Sequence, residues 1–411
     1  MADEMSDVGC PNCGALQRLS PFSGALLISC GVCRSPLERA GGRSLSGSLA
    51  CAAATLLLLI PANLLPFLTT SMFGVSRRSF LGSGALTMWT DGWPWLAVAI
   101  GLFVVALPVA RFALLTAVLG ALRLGAKPPW LGRAFRWANG LEQWAMADVF
   151  LLGLWVAYAR LSATINVHLG VGALCFIAVG LLSLLTRASL DRAAVWRRIR
   201  PDTALEADVP ACSCLSCDLV APAAAAGAAC PRCGARLSAR ETNSIGRTLA
   251  LTVAGLLLYI PANVLPIATL PIGLHPTQYN ILQGVIDLFD ARLYGLALLV
   301  FSASFAIPVL KLAGLGYCLS SVFRRSPRRL VLKTRVYRIV EEIGRWSMVD
   351  PFVIACFVPV TQYNNFIYGR AESAAPAFAG VVILTMVAAR SFDPRLMWDA
   401  ADRRPVPANP A

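Results

Sequence analysis

Eight runs of about 20 apolar residues limit what this chain can fold into more than any other feature of its sequence. A helical run of that length crosses about 30 Å of hydrocarbon, and a helix satisfies its own backbone hydrogen bonds, as lipid requires. Only 14% of the 411 residues are charged and the mean hydropathy is +0.65, which excludes a soluble or disordered protein. The sequence therefore predicts an all-α integral membrane protein. Its eight transmembrane helices are expected near 47–70, 94–122, 144–162, 165–186, 246–270, 293–322, 346–366 and 375–390.

The chain is also a tandem repeat with an offset of 200 to 202 residues. The segment I-P-A-N-L-L-P at 60–66 returns as I-P-A-N-V-L-P at 260–266, and the W-x-M-x-D pattern at 144–148 returns at 346–350. Each half thus predicts four helices. Because four is an even number, both halves have the same orientation in the membrane, as parallel repeats related by an axis along the membrane normal.

Eight of the thirteen cysteines form four C-x-x-C pairs, two in front of each apolar half. In the first half 16 residues separate the two pairs, and in the second half 12 residues do. The longer spacing is typical of a four-cysteine zinc site. Four thiolates leave no open coordination position, so both sites are predicted to be structural zinc ribbons. The predicted ligands are Cys10, Cys13, Cys30, Cys33, Cys214, Cys217, Cys230 and Cys233.

Two alternatives stay open for these cysteines. Cys212 lies two residues before Cys214 and is a candidate to replace it as a ligand. A redox dithiol also uses C-x-x-C, although such motifs usually occur singly in a βαβ context. Gly14 and Gly234 follow two of the pairs and suit the turn that brings two thiolates to one ion. Residues 1–45 contain no apolar secretory segment, which favours reduced, metal-binding thiols on the cytoplasmic side.

Basic residues near the helix ends predict the orientation. The connection after the second helix carries four bases in the first half and eight in the second, and the opposite loops carry few. We therefore expect both termini and both cysteine modules in the cytoplasm, with apolar outer loops at 71–93 and 271–292. The predicted domains are a first zinc ribbon (1–44), a first transmembrane module (45–190), a linker with the second ribbon (191–244), a second transmembrane module (245–392) and a cytoplasmic tail (393–411).

Ionisable residues inside the apolar helices are functional candidates, because a charge in hydrocarbon is costly. The second helix of each half contains a base, Arg111 or Lys311, and the third contains an acid, Asp148 or Asp350. We expect each base to pair with the acid of its own half. The pair is either part of a polar transport path or a structural ion pair. Two hydroxyl groups at equivalent positions in the fourth helices either extend this lining or bond their own helix. They belong to Ser183 and Thr385.

The I-P-A-N-x-x-P motif predicts a kink or break in the first helix of each half. Each proline removes a backbone donor and clashes with the preceding turn, and the asparagine side chain can donate to a freed carbonyl. Either the motif is a satisfied structural kink or it resembles the discontinuous helices that line transporter cavities. The motif residues are Pro61, Asn63, Pro66, Pro261, Asn263 and Pro266.

The positive charge of the chain, with 36 Lys and Arg against 22 Asp and Glu, is interpreted by its location. The arginines flank apolar runs, where they contact anionic headgroups, so no nucleic-acid partner is expected. The sequence has no phosphate-binding loop, no H-E-x-x-H and no G-x-S-x-G, and only two histidines. An enzyme is therefore not expected.

Two four-cysteine modules, each followed by a four-helix block with I-P-A-N-x-x-P and W-x-M-x-D, resemble the paraquat-inducible protein A family of bacterial inner-membrane proteins. That family includes the membrane partner of the lipophilic envelope-spanning tunnel, and the resemblance covers roughly 8–395. It implies that the chain passes phospholipid or a related lipid between the inner membrane and a periplasmic tunnel of MCE-domain subunits, which maintains the envelope. It also implies that the family's zinc-ribbon cysteines correspond to the eight cysteines above. The family's membrane polar network would correspond to Arg111, Asp148, Lys311, Asp350 and Thr385.

Three other functions stay open from the residues. The first is a secondary transporter of a hydrophobic small molecule. The second is a scaffold that seats the tunnel without transporting lipid, which predicts that removal of the membrane charges is tolerated. The third is a dithiol enzyme, which predicts a reducible bond between vicinal cysteines and no bound metal.

Overall fold

A computed structural model describes residues 6–19, 28–38, 45–72, 75–162, 166–201, 211–272, 275–361 and 370–402. Within this part the chain is mostly helical, and each half consists of a small cysteine module followed by a helical module. The first and second cysteine modules comprise 6–38 and 211–239. The first and second helical modules comprise 45–199 and 244–402.

The first half begins with four short strands in two hairpins. They are β1 (Ser6–Gly9), β2 (Leu16–Leu19), β3 (Ile28–Ser29) and β4 (Pro36–Glu38). The first helical module contains α1 (Leu45–Leu64), β5 (Leu68–Met72), β6 (Val75–Ser79), α2 (Ser83–Thr90), α3 (Pro94–Gly101), a π-helical turn (Leu102–Ala106), α4 (Leu107–Arg123), α5 (Leu131–Leu141), α6 (Ala147–Ser162), β7 (Asn166–Leu169), α7 (Val171–Ser189) and α8 (Arg192–Ile199).

The helical part of the second half repeats this order of elements, and its cysteine module is built differently. Its cysteine module contains β8 (Ala211–Ser213), β9 (Val220–Pro222) and a short 3-10 turn (Ala223–Ala225). The second helical module contains α9 (Ser244–Val264), β10 (Ala268–Ile272), β11 (His275–Tyr279), α10 (Ile281–Asp290), α11 (Tyr294–Phe301), a π-helical turn (Ser302–Ala306), α12 (Ile307–Phe323), α13 (Leu330–Ile343), a 3-10 turn (Gly344–Met348), α14 (Val349–Thr361), β12 (Arg370–Ala371), α15 (Ala374–Ser391) and α16 (Arg395–Asp402).

Six of the described helices are long and apolar enough to cross a membrane. They are α1, the continuous helix from α3 to α4, α7, and the corresponding helices α9, α11 to α12 and α15. Each continuous helix has 30 residues and is therefore about 45 Å long. This length exceeds the thickness of the hydrocarbon, about 30 Å, so these helices tilt or extend beyond it. The chain is a multi-pass membrane protein.

The third apolar run of each half forms a shorter helix than predicted. α6 has 16 residues and α14 has 13, which gives lengths of about 24 and 20 Å, so the count of eight spans stays a prediction. The two helices pack against each other. The buried rings of Phe150 and Phe352 lie 5.4 Å apart, and a Cβ on Gly153 would lie 3.0 Å from the Cβ of Phe352. A helix enclosed by protein does not have to match the thickness of lipid.

The first helix of each module ends before the apolar run does. α1 continues through Pro61 and ends at Leu64, so the break falls at Pro66 and not at Pro61. Proline lacks the donor that a further turn would need, and it pushes the preceding residue out of the helical region. α9 ends in the same way.

The asparagine of each motif bonds its own helix. The Asn63 side-chain amide donates to the Leu59 carbonyl at 2.7 Å, and the Asn263 amide donates to the Tyr259 carbonyl at 2.8 Å. Contacts of this kind are those of a structural helix end. A role of the asparagines in lining a transport cavity stays a prediction.

The carbonyls of the two prolines just beyond these helix ends bond to the start of the fourth helix of each half. The Gly172 N–H donates to the Pro66 carbonyl at 3.0 Å, and the Ala374 N–H donates to the Pro266 carbonyl at 3.2 Å. The repeat therefore preserves a long-range backbone bond as well as a sequence motif. Because the bonded groups belong to the main chain, the bond survives the change from glycine to alanine.

The segments after α1 and α9 are ordered strands and helices, where the sequence predicted apolar loops. β5, β6 and β7 form an antiparallel sheet in the order β6-β5-β7, and β11-β10-β12 repeats it. The fourth helix of the first half consequently begins at Val171 and not near 165. Hydropathy did not reveal these strands, because the apolar run passes from helix into strand without a polar interruption. We call the side with the two sheets the sheet side, and the side with the cysteine modules the ribbon side.

The π-helical turns explain how the W-x-M-x-D segment is held. A π turn leaves a carbonyl without its usual helical donor. In the first module the Phe103 carbonyl accepts the N–H of Met146 at 3.4 Å, and the Trp144 ring stacks on the Phe103 ring at 5.5 Å. The unwound segment before α6 is thus fixed by the main chain of the long helix. The second π turn lies at the equivalent place in α11 to α12.

Gly84 allows α2 of the first module to contact α14 of the second. A Cβ at this position would overlap the Ala355 carbonyl oxygen, whereas a Cβ on Gly82 would meet nothing within 4 Å. We expect Gly84→Ala to lower the free energy of unfolding by about 1–3 kcal/mol, because the helices must shift apart. Gly82→Ala, at φ −76°, should be neutral or slightly stabilising. Thermal unfolding in detergent measures both, and equal effects of the two substitutions would contradict the close contact.

Candidate functional site

The two sets of cysteines form compact four-thiol groups. Within each group every sulfur lies within 4.8 Å of the others, and the closest pairs are 3.5 to 3.6 Å apart. A tetrahedral ion with Zn–S bonds of about 2.3 Å places its sulfurs about 3.8 Å apart, whereas a disulfide requires about 2.05 Å. The groups comprise Cys10, Cys13, Cys30 and Cys33, and Cys214, Cys217, Cys230 and Cys233. Each can hold a metal ion, and all thirteen cysteines are free thiols.

Each C-x-x-C pair ends in a residue with left-handed backbone. The turn of the first pair is closed by the Gly14 N–H, which donates to the Cys10 carbonyl at 2.9 Å. Two of these residues are glycines, which the sequence predicts for such a turn. The other two are not, and a residue other than glycine does not indicate left-handed backbone in the sequence. The four residues are Gly14 (φ 76°), Arg34 (φ 60°), Asp218 (φ 55°) and Gly234 (φ 70°).

The structure selects Cys214 over Cys212 for the second group. Cys212 lies on β8 and its thiol faces the Pro222 carbonyl at 3.8 Å. Cys214 lies at the start of the turn, and its sulfur is 3.6 Å from that of Cys233. Cys212 is therefore a buried thiol beside the site and not part of it.

The second cysteine module docks on the first helical module. A Cβ on Gly132 in α5 would overlap the Arg232 carbonyl oxygen, so the backbones of α5 and the cysteine turn touch. Arg200, after α8, donates to the Pro231 carbonyl at 3.2 Å. Below this contact the rings of Phe135 and Trp196 meet edge to face at 4.7 Å.

The first cysteine module, in turn, docks on the end of the second helical module. Trp398 of α16 packs against the group that contains Cys10 and Cys30, and its indole N–H donates to the Thr334 hydroxyl at 3.1 Å. Arg240, which lies between the second cysteine module and α9, holds α16 in place by bonding both carboxylate oxygens of Asp399 at 2.6 and 2.8 Å. This hydrogen bonding raises the pKa of the Arg240 guanidinium. Each cysteine module thus packs against the helical module of the other half.

A buried ion cluster lies at the ribbon-side end of the first helical module. Glu142 is 6% exposed and Arg111 is 3% exposed, and the Arg111 Nη2 lies 3.6 Å from the Glu142 Oε2. Arg187 contacts the same carboxylate at 2.8 Å, and Arg192 also pairs with it. Sequence reasoning missed Glu142, although it is the only acidic residue between Arg111 and Asp148.

The second module has a base at the matching place without a matching acid. Lys311 is fully buried, and its Nζ donates to the Gly344 carbonyl at 3.1 Å. In the W-x-M-x-D register, Gly344 corresponds to Glu142. A main-chain carbonyl thus replaces the carboxylate of the first module, and the two repeats differ in their charge at this point.

The predicted acidic partners lie at the starts of the third helices. Asp148 is in the first turn of α6, where its carboxylate contacts the Val149 N–H at 3.1 Å. Asp350 is in α14, and its side chain is outside the described part of the chain. The pairing of each acid with the base of its own half stays a prediction.

The two hydroxyl groups of the fourth helices bond their own backbone. The Ser183 hydroxyl donates to the Gly180 carbonyl at 2.8 Å, and the Thr385 hydroxyl contacts the Val381 carbonyl at 2.9 Å. Both residues are buried. Their part in a polar transport lining stays a prediction.

A cavity of about 1070 Å³ lies where both cysteine modules meet both helical modules. Its wall includes Glu142, Arg187, Glu341, Glu342 and Arg390, so acids and bases are interspersed. Burial raises the pKa of Glu341. The cavity brings solvent to the edge of the buried ion cluster from the ribbon side.

Polar contacts across this cavity join the two helical modules. Gln143 donates to Glu341 at 3.2 Å, and Arg187 lies 3.9 Å from Glu342. The Arg390 guanidinium donates to the Gly140 carbonyl at 3.1 Å. The ribbon side of the interface is therefore polar, whereas the contact between α6 and α14 is aromatic.

The model of the family described as "Paraquat-inducible protein A" matches residues 45–200 and 245–402. These two matches coincide with the two helical modules and include most of the chain. The chain belongs to this family. The resemblance inferred from the repeated motifs is confirmed.

Curated relatives cover nearly the whole chain. "Intermembrane transport protein PqiA" of Escherichia coli K12 is 30% identical over 401 residues, 95% of each chain. "Lipophilic envelope-spanning tunnel protein A" of the same organism is 28% identical, over 95% of this chain and 91% of its own. A "Probable intermembrane transport protein" of Haemophilus influenzae is 26% identical over 85% and 86%. No solved structure matches the chain.

Substitution of single cysteines tests the metal sites. We expect about two zinc ions per wild-type chain and per Cys212→Ser chain, and about one per Cys214→Ser chain, because four thiolates make one closed site. Metal analysis of purified protein by mass spectrometry gives these ratios. Loss of an ion in Cys212→Ser with retention in Cys214→Ser would contradict the assignment, and metal-free wild-type protein would contradict both sites.

Removal of the Glu142 charge tests the buried cluster. Glu142→Gln leaves Arg111 without its carboxylate, and we expect the free energy of unfolding to fall by about 3 kcal/mol. Glu342→Gln is the matched control, because its side chain is 78% exposed and should matter by less than about 0.5 kcal/mol. Denaturant titration in mixed micelles compares the two. Equal stability of both variants would show that Glu142 does not neutralise the cluster.

Proposed function

We propose that this protein is a lipid transporter of the bacterial inner membrane that passes phospholipid or a related lipid to or from a periplasmic tunnel of MCE-domain protein. The observation that carries the proposal is the similarity over 95% of the chain to relatives named as an intermembrane transport protein and as a lipophilic envelope-spanning tunnel protein. These names describe transport and not catalysis, so we propose a protein that is not an enzyme.

The proposed orientation has both termini and both cysteine modules in the cytoplasm and the two sheets in the periplasm. The basic connections after α4 and α12 support it, because positive loops stay inside. The sheets then lie on the side where a periplasmic partner binds. We propose eight spans, with α6 and α14 as the shorter third span of each module, and the domain boundaries at 44/45, 190/191, 244/245 and 392/393.

We propose that the polar network in the membrane acts on the lipid headgroup or on a coupled charge. Its members are Arg111, Asp148, Lys311, Asp350, Ser183 and Thr385. A buried lysine that contacts only a carbonyl among the described groups supports this proposal, because an intramembrane charge is costly and is seldom retained without a use. The two zinc ions would be structural and would fix the ribbon side of both modules.

A scaffold that seats the tunnel without moving lipid is the second candidate, and the first helical module favours it. There Arg111 already has a carboxylate partner in Glu142. An ion pair within the protein therefore accounts for the buried base without a role in transport. The two functions differ in whether the acids of the third helices are required for activity.

Lipid transfer from proteoliposomes to the purified MCE partner separates these candidates. We expect Asp148→Asn and Asp350→Asn to abolish transfer of a fluorescent phospholipid while the unfolding temperature and partner binding stay close to wild type. Asp290→Asn, at an exposed position of α10, removes the same charge as a control and should transfer normally. Unchanged transfer by both acid variants would contradict the transport role of the network. If the wild-type protein binds the MCE partner but transfers no lipid, the scaffold is favoured.

A further inference from the structure

The two helical modules close the same turn in different ways. The turns join α4 to α5 and α12 to α13, and both use the backbone pattern that commonly ends a helix in a left-handed residue. In the first module Gly125 donates to Leu122 at 3.2 Å. In the second module Arg325 donates to Val322 at 3.2 Å. The backbone bonds match, but the residue at the left-handed position does not.

Glycine is the ordinary residue at such a position, and arginine is a strained one. Gly125 has a φ of 74° and Arg325 a φ of 45°. Left-handed backbone brings the Cβ of an L-residue too close to the following carbonyl. Arg329, which precedes α13, has a φ of 56°. Two arginines thus occupy unfavourable backbone within one turn, and strain of this kind points to a function that retains the side chains.

The turn concentrates positive charge that no other described residue neutralises. Arg324, Arg325, Arg328 and Arg329 are all exposed. Within the described residues none of their guanidinium groups has a hydrogen-bond or ion-pair partner, and no acidic residue occurs between 311 and 340. The corresponding turn of the first module, 124–130, contains one base.

A buried lysine fixes the backbone under these arginines. Lys333 is 3% exposed, and its Nζ donates to the Ser326 carbonyl at 2.9 Å. The turn is therefore held in one conformation from below, while its four guanidinium groups face outward. A fixed backbone lowers the entropy that a ligand would otherwise have to remove.

The neighbours of the turn are those of a membrane interface. Phe323, the last residue of the long helix, is 61% exposed, and Tyr317 two turns earlier is 40% exposed. α13 exposes Leu332, Arg335 and Ile339 on one face, since residues three and four apart share a face. The arginines therefore lie at the depth where the apolar helix surface ends, which is the depth of the headgroups.

We propose that the turn at 324–329 is a binding site for an anionic phospholipid with two phosphate groups, a diphosphatidylglycerol, in the leaflet on the ribbon side. The planar guanidinium group bonds phosphate oxygens in pairs, and the sequence R-R-S-P-R-R supplies two adjacent pairs. Basic sites at helix ends bind such headgroups. The apolar surface next to the turn favours a lipid over a nucleic acid. This site depends on the membrane location of the chain and not on its proposed transport activity.

Native mass spectrometry of the full-length protein in detergent tests the site. In detergent the surface charge of a bilayer does not contribute to binding, so the affinity reports the site itself. Diphosphatidylglycerol, phosphatidylglycerol and phosphatidylcholine with equal chains, and a short DNA duplex, are titrated against wild-type protein and Arg325→Gly/Arg329→Asn. Glycine and asparagine accept left-handed backbone, so this variant should unfold at or above the wild-type temperature. We expect its affinity for diphosphatidylglycerol to fall about thirtyfold, because two of the four guanidinium groups proposed to bond the phosphates are lost.

Arg123→Gln/Lys127→Gln removes the same charge from the first module and is the matched control. We expect it to keep wild-type affinity within about threefold. Equal loss in both double variants, or no loss in the first, would overturn the site. Equal affinity for phosphatidylglycerol, which has one phosphate, would overturn the assignment of two phosphates. Tighter binding of a short DNA duplex at the same salt concentration would overturn the choice of a lipid.

Discussion

A backbone in hydrocarbon has no water with which to bond, and this constraint governs every irregular segment of the two helical modules. Just beyond the end of α1, the Pro66 carbonyl accepts the N–H of Gly172. The π turn in the long helix gives the Phe103 carbonyl to Met146. These are places where the chain leaves the regular helix, and at each of them a main-chain bond to another segment satisfies the backbone.

The two repeats keep this backbone framework and differ in their charges. In the first, the Glu142 carboxylate pairs with Arg111 and two further arginines, so that one acid is shared by three bases. In the second, Gly344 offers only a carbonyl to Lys311. The modules are therefore similar in construction and differ in the partner that each provides for its buried base.

The sequence was sufficient for the features that depend on local spacing. The repeat, the four-thiol groups and the family were predicted from motifs at fixed distances, and six long helices follow from apolar runs. The sheets were missed, because strands such as β5 continue an apolar run without a polar boundary. Hydropathy predicts α6 and α14 as spans of ordinary length, because it does not distinguish protein from lipid as surroundings, and both helices are shorter. Glu142 was missed because its partners come from three separate segments, and no local spacing reveals such a meeting.

The crossed docking of the cysteine modules has a consequence for biosynthesis. Residues 211–239 of the second half pack against α5 of the first half, and α16 of the second half covers the first cysteine module. The ribosome therefore synthesises the first half before the residues of the second half that pack against it. The packing around the first four-thiol group is therefore complete only after α16, the last helix of the described residues, has been synthesised.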